Sequence, residues 1–334
     1  MRQRVLVTSY YDPAATDIEL KRLEPVADVS RTTVGRRLEP TELIEHLEGI
    51  NVVLISDELI DASVLEAAPE LRMVCADGVG VDNVEMGEAT AHGVMVNNAP
   101  FVHHANGDFT IGLILAVMRC IVVGDRGVRG GKWNERHRYV GRDLSASTLG
   151  LLGFGRAAQA VALRASGFGS QVIAYCRHPD RAAADRLGVQ IVSFDELLAR
   201  SDVLSLHVIL TDETRGMVGP EQIEKMKDRA YLINTSRGTV VDQAALVAAL
   251  QKGKLAGAGI DVYDTEPPPG NHSLLGMDNV VATPHMASDS FDAFRAVFKG
   301  AVDDILLYLH GQQPTHVRNP DVFNHPNFED LKKQ

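Results

Sequence analysis

The stretch Thr148-Leu149-Gly150-Leu151-Leu152-Gly153-Phe154-Gly155-Arg156-Ala157-Ala158 reads as an apolar strand that runs through a glycine turn into a helix. Its second half fits G-x-G-x-x-G/A, with Ala158 in the last place. Gly153 permits the tight turn, Gly155 lets backbone approach a pyrophosphate, and a small residue at position 158 allows close helix–strand packing. The N–H groups that open the helix, at Arg156 and Ala157, then face the diphosphate. Alone, such a motif is often only a structural turn. The strand before it and the helix after it favour a dinucleotide.

An NAD-binding unit carries Asp or Glu about 20 residues further on, where the second strand ends and the adenosine ribose sits. Here that strand, Val172-Ile173-Ala174-Tyr175, runs into Cys176-Arg177-His178. A guanidinium replaces the carboxylate. Arg177 suits a 2′-phosphate through paired, charge-assisted hydrogen bonds; the alternative is a solvated turn residue. NADP is therefore the expected coenzyme, with NAD possible.

On either side of this motif, short β-like runs alternate with helical stretches. Before it come Val5-Leu6-Val7, Val52-Val53-Leu54-Ile55, Met73-Val74-Cys75-Ala76 and Val94-Met95-Val96. After it come Val203-Leu204-Ser205-Leu206, Tyr231-Leu232-Ile233 and Val280-Val281-Ala282. This alternation predicts two doubly wound parallel-sheet domains of the α/β class. A long apolar helix is expected over about residues 104–122, buried because it has little polar face. The segment 130–138 reads as an exposed arm. A last helix, about 290–309, follows the completed second series and is expected to return to the first domain.

At 334 residues the chain has room for two cores. A formal net charge of −11 argues against a nucleic-acid partner, which would need a basic patch. The first apolar run is too short for a signal peptide, and no stretch approaches membrane-spanning length. Cys75, Cys120 and Cys176 show neither zinc nor C-x-x-C spacing, so no metal site is expected and a reducing, cytoplasmic setting is.

Downstream, four segments each place one chemically active side chain just after an apolar run, where parallel strands deliver ligand groups. They are Ile233-Asn234-Thr235-Ser236-Arg237-Gly238, Gly259-Ile260-Asp261-Val262-Tyr263, Asp264-Thr265-Glu266-Pro267-Pro268 and Ala282-Thr283-Pro284-His285. A lone His is more often packed than catalytic. A carboxylate such as Glu266 beside His285, however, would raise its pKa and let it act as an acid near neutrality. Arg237, in a turn where a helix N-terminus is also expected, can grip a carboxylate by two bonds, or form a plain salt bridge. Asp261 could accept from a nicotinamide carboxamide, or merely cap a strand end.

With these motifs in this order, over about residues 71–287, the chain resembles the D-isomer-specific, NAD(P)-dependent 2-hydroxyacid dehydrogenases. The resemblance rests on 149–158, 226–245, 256–268 and Thr283-Pro284-His285. It implies a Rossmann nucleotide domain, 103–287, inserted in a flavodoxin-like substrate domain built from 1–102 and 288–334. It implies catalytic roles for Arg237, Glu266 and His285, and a loop Gly78-Val79-Gly80-Val81-Asp82-Asn83 whose Val79 and Gly80 N–H groups receive the substrate carboxylate. Coenzyme contacts are implied for Gly153, Gly155, Arg156, Ala157, Cys176, Arg177, Val208, Thr235, Ser236, Asp261, His285 and Ser288. The implied reaction is hydride transfer between NAD(P)H and a small 2-oxo acid such as glyoxylate or hydroxypyruvate, by a homodimer.

Three positions depart from the family pattern: Cys176 for the acid, Ala158 for the last glycine, and Ile209 where a Pro is common after His207-Val208. The formate dehydrogenase branch resembles this one with Gln at the place of Glu266, which argues against it. A corepressor-like, dinucleotide-sensing binding protein is the alternative from another class. Tyr10, Tyr11, Phe101, His103, His104 and Trp133 are candidates for the pocket wall, and the extra regulatory domain of many phosphoglycerate-oxidising relatives is expected to be missing.

Overall fold

The computed structural model describes residues 2–9, 13–32, 34–329 and 331; Tyr10 and Tyr11 lie outside them. The chain forms two compact units, one from Met1–Val102 with Asp289–Gln334 and one from His103–Ser288.

The first unit holds five parallel strands: β1 (Gln3–Val7), β2 (Ala27–Arg31), β3 (Val52–Ile55), β4 (Met73–Ala76) and β5 (Met95–Asn98), in the order β2-β1-β3-β4-β5. Every residue of β3, β4 and β5 is buried, as strands must be when helices cover both faces of a sheet; β3 and β4 are apolar throughout, whereas β5 ends in the buried Asn97 and Asn98. Edge strand β2 escapes a reading of apolar runs because Asp28, Ser30 and Arg31 dilute it. Its pairing with β1 (Val5 opposite Val29) supplies what its composition lacks.

The helix Phe291–Leu309, N-capped by the Ser290 hydroxyl, packs on the helix Pro13–Leu20 and against β4 and β5. Its buried Asp304 accepts hydrogen bonds from Asn97 Nδ2 (3.0 Å), Thr315 N (2.9 Å) and His316 N (3.1 Å). Asn319 accepts from Val96 N at 2.8 Å and donates to Val94 O at 3.0 Å, so the tail closes the open edge of β5.

The second unit holds seven parallel strands: β6 (Thr148–Leu152), β7 (Gln171–Tyr175), β8 (Gln190–Ile191), β9 (Val203–Leu206), β10 (Ala230–Asn234), β11 (Leu255–Ile260) and β12 (Val280–Ala282). Their order is β12-β11-β10-β9-β6-β7-β8. Direction of winding reverses between β6 and β9, and ligands bind outside the carboxyl ends of the strands at such a switch point.

The apolar run at 104–122 is not one helix. It forms His103–Met118 and Ile121–Arg129, bent by 60°. Cys120 takes the left-handed conformation (φ 54°), and Met118 O accepts from Arg142 N at 2.9 Å. A distant backbone partner thus ends a helix that local composition would continue. The first piece is buried as expected and packs on the helix Arg156–Ser166, where Gly107 allows contact with Ala160. Among the described residues no single helix is long and apolar enough to cross a membrane.

Candidate active site

The turn after β6 is held open. Gly153 has φ 98° and donates to Tyr175 O at 2.8 Å; a Cβ there would lie 2.6 Å from His207 O, so no other residue fits. Gly155 N-caps the helix Arg156–Ser166 without any side-chain cap, and no atom lies within 4 Å of where its Cβ would project. An anion has open backbone approach to the N–H groups of Arg156 and Ala157, so these residues fit a pyrophosphate. Ala158 is fully buried beneath them.

At the end of β7, burial pushes the Cys176 thiol up, leaving it a neutral group. The Arg177 side chain is 61% exposed, with Nη2 3.7 Å from Glu213 Oε2. Val208 is half-buried after β9, while Ile209 is exposed.

Three loops assemble the ionisable groups. His285 Nδ1 lies 2.7 Å from Glu266 Oε2, and Tyr263 N donates to Glu266 Oε1 at 2.9 Å. Burial alone would raise the Glu266 carboxyl, but the His285 ring, the Tyr263 N–H and the Arg237 charge outweigh it and hold the carboxyl below its ordinary value. The hydrogen bond to Glu266 raises the His285 imidazole above its ordinary value, against burial and the Arg237 charge. Arg237, Glu266 and His285 therefore share one electrostatic neighbourhood.

Asn234 shapes the Arg237 turn. Its Oδ1 accepts from Ser236 N (3.0 Å) and Ser236 Oγ (2.9 Å), and its Nδ2 donates to Arg237 O at 3.0 Å. The expected helix N-terminus is not there. A single 3₁₀ turn, Gly238–Val240, follows Arg237, and the next α-helix starts only at Gln243, where Asp242 already caps it. Thr235 Oγ1 meets Thr110 Oγ1 at 3.2 Å.

Asp261 is fully buried, and its carboxylate is used by the loop that carries His285. Oδ1 accepts from Thr283 Oγ1 (2.6 Å) and Met286 N (2.9 Å), and Oδ2 from Ala287 N (2.9 Å). His285 N also donates to Asp261 O at 2.8 Å, which keeps this residue at its left-handed φ of 52°. Ser288 lies half-buried in the turn that follows.

In the first unit, Gly78 O accepts from Ala99 N (2.9 Å) and Val79 O from Asn98 Nδ2 (2.6 Å). Among the described residues, the N–H groups of Val79 and Gly80 meet no acceptor. Just before this loop lies a buried polar cluster that linear spacing did not reveal: Ser56 Oγ donates to Asp77 Oδ2 at 2.6 Å, and Ser56 N to Glu58 Oε2 at 2.9 Å. Burial pushes Asp77 up to about 7, Ser56 and Ser9 opposing and Glu58 and Asp57 adding to the rise. Of the pocket-wall candidates, Phe101 packs edge-on against His316, His103 and His104 contact each other, and Trp133 is exposed.

Residues 111–287, more than half of the chain, match the profile of the D-isomer specific 2-hydroxyacid dehydrogenase NAD-binding domain. The chain belongs to the D-isomer specific 2-hydroxyacid dehydrogenase family. A glyoxylate reductase of Korarchaeum cryptofilum is 42% identical over 81% of this chain and 82% of its own. A Thermus thermophilus protein of known structure is 38% identical, with a TM-score of 0.85 over 95% of this chain and 100% of its own. An NADPH-dependent glyoxylate/hydroxypyruvate reductase from Sinorhizobium meliloti, also of known structure, is 29% identical, with a TM-score of 0.82 over 96% and 99%. The protein is thus a nicotinamide-dependent oxidoreductase acting between 2-oxo and D-2-hydroxy acids, and the alternative of a binding protein without turnover falls away.

Within this dehydrogenase, Asp77 offers a test of the cluster beside the glycine loop. Its folded value of about 7 lies above the ordinary 3.8, so ionisation costs folding energy: stability is lost as pH rises from about 4 to 7 and stays lower above. Asp77→Asn should match the wild type near pH 4 and exceed it above pH 7 by up to about 4 kcal/mol. Denaturant unfolding at three pH values measures this, and a variant less stable than wild type above pH 7 would contradict it.

Proposed function

We propose that this dehydrogenase reduces glyoxylate, hydroxypyruvate or a closely related 2-oxo acid with NADPH, using Arg237, Glu266 and His285. The observation that carries the reading is the 2.7 Å contact of His285 with Glu266 in the field of Arg237. The activities named for the Korarchaeum and Sinorhizobium relatives support the substrate class, and the latter supports the coenzyme.

Bound nicotinamide coenzyme supplies the hydride. Glu266 takes the His285 Nδ1 proton in a hydrogen bond, so Nε2 of the imidazolium is the nitrogen that gives a proton to the substrate carbonyl oxygen. Glu266 keeps the ring charged, whereas Arg237 limits how far its pKa climbs. The Arg237 fork is assigned to the substrate carboxylate, and the Val79 and Gly80 N–H groups are assigned to substrate binding.

Gly153, Gly155, Arg156 and Ala157 are assigned to the pyrophosphate, and Cys176 and Arg177 to the adenosine ribose and its 2′-phosphate. Val208, Thr235, Ser236, Asp261, His285 and Ser288 are assigned to the nicotinamide half. Three of the roughly four acceptor positions on the Asp261 carboxylate hold the His285 loop, which leaves one, on Oδ2, for a carboxamide N–H. Free thiols at Cys75, Cys120 and Cys176 support a reducing, cytoplasmic setting.

Loss of the proton donor should be costly. His285→Ala is expected to lower kcat for reduction by about 100-fold or more while leaving coenzyme binding largely intact. In the wild type, reduction requires the imidazolium, so its rate should fall as pH rises through the raised His285 value, whereas oxidation of the hydroxy acid should rise over the same interval. Single-turnover kinetics across pH test both, and near-wild-type turnover in the variant would exclude the role.

NADPH should exceed NADH in kcat/KM by roughly tenfold to a hundredfold, the scale of one charge-assisted hydrogen bond, and Arg177→Ala should remove most of this preference. Equal or better use of NADH by the unmodified enzyme would reject it.

Ile121, Val128, Trp133 and Val140 are large, exposed apolar side chains within one stretch, the last 80% exposed. We assign this surface to a homodimer contact. Light scattering should give twice the chain mass of 36.2 kDa, and a monomer mass at working concentration would overturn the assignment.

A further inference from the structure

Arg177 does not stand alone at the ribose end of the site. β7 and β9 flank β6 on opposite sides, so Arg177, just past the end of β7, and Glu213, in the loop after β9, reach toward each other across the carboxyl end of the strand that feeds the glycine turn. The β9 loop is shaped by its own hydrogen bonds. Thr211 N donates to Thr214 Oγ1 at 2.8 Å, Arg215 N to Thr211 O at 2.9 Å, and Thr214 Oγ1 to Ile209 O at 2.7 Å. The Thr211 hydroxyl donates to Glu213 Oε2 at 2.9 Å, which aims the carboxylate and is the main reason its pKa is lowered.

The pair itself is loose. Its atoms are 3.7 Å apart and the side chains are 61% and 65% exposed, so water screens the attraction and a bound group can rearrange it at little cost. An anion aimed by the Thr211 hydroxyl and an exposed cation therefore lie together where the adenosine ribose is expected.

We propose that Glu213 is a coenzyme-selecting residue: it supplies, from the loop after β9, the ribose acceptor that β7 lacks. Its carboxylate takes ribose hydroxyls of NADH and repels the 2′-phosphate of NADPH, which Arg177 attracts. The two residues set the preference by opposing one another, and Glu213 keeps it smaller than Arg177 alone would make it. The inference rests on the reading that the end of β7 holds the adenosine ribose.

Equilibrium titration of the full-length protein with NADH and with NADPH, following nicotinamide fluorescence without substrate, tests this apart from chemistry. Glu213→Gln should weaken NADH by about threefold and tighten NADPH by about threefold, as expected for one exposed charge, so the ratio of dissociation constants moves by about tenfold toward NADPH. Glu213→Asp, which keeps the charge, should move it less. A Glu213→Gln ratio unchanged from wild type, or shifted toward NADH, overturns the proposal. The coenzyme reading above fails separately: a wild type that prefers NADH, or an Arg177→Ala variant with an unaltered ratio, defeats that reading, while a shift toward NADPH in Glu213→Gln still upholds the role of Glu213.

Discussion

A carboxylate fully removed from water must be met by donors, and the donors that meet Asp261 come from the loop bearing His285. Thr283 Oγ1, Met286 N and Ala287 N all end on its two oxygens, and His285 N ends on its carbonyl. A left-handed conformation is costly for a residue with a Cβ, and it persists where surrounding bonds over-determine it. The backbone of His285 is held in this way, and its ring is presented to Glu266 at 2.7 Å. Orientation of the proposed proton donor thus begins with a carboxylate that only accepts.

Environment, rather than residue type, separates the carboxyls of this protein. Glu266 has an imidazole, a backbone N–H and a nearby guanidinium, and these overcome its burial. Asp77 has two hydroxyl partners and two acidic neighbours, and burial prevails. One is anionic at neutrality and supports a cation; the other carries a proton for much of the time beside the loop of Val79 and Gly80. Both follow from what the neighbouring strands bring to the ends of the sheets.

The central features of fold and site were legible in the chain because they are local. Apolar runs marked the buried strands, the glycines at 153 and 155 marked the turn into the helix, Arg237, Asp261 and His285 each announced themselves by following a strand, and Glu266 by offering His285 a carboxylate. Features that depend on distant partners were not legible. Strand β2 is polar and relies on β1, β8 is only two residues long, and the helix after His103 ends early because Arg142 takes its carbonyl. Glu213 is an ordinary loop acid until sheet order carries it to Arg177. Asp261 read equally well as a ligand group or a strand-end cap, and the folded chain uses most of its capacity for the latter.

The pairing of His285 with Glu266 is the central claim, and an NMR titration of the His285 ring in the wild type and in Glu266→Gln addresses it most directly. The account predicts a wild-type imidazole that titrates above the ordinary 6.5 and falls below it once the carboxylate is removed, because burial and Arg237 then outweigh the remaining pull of Asp261. A wild-type value at or under 6.5, or one unaffected by the substitution, would contradict it.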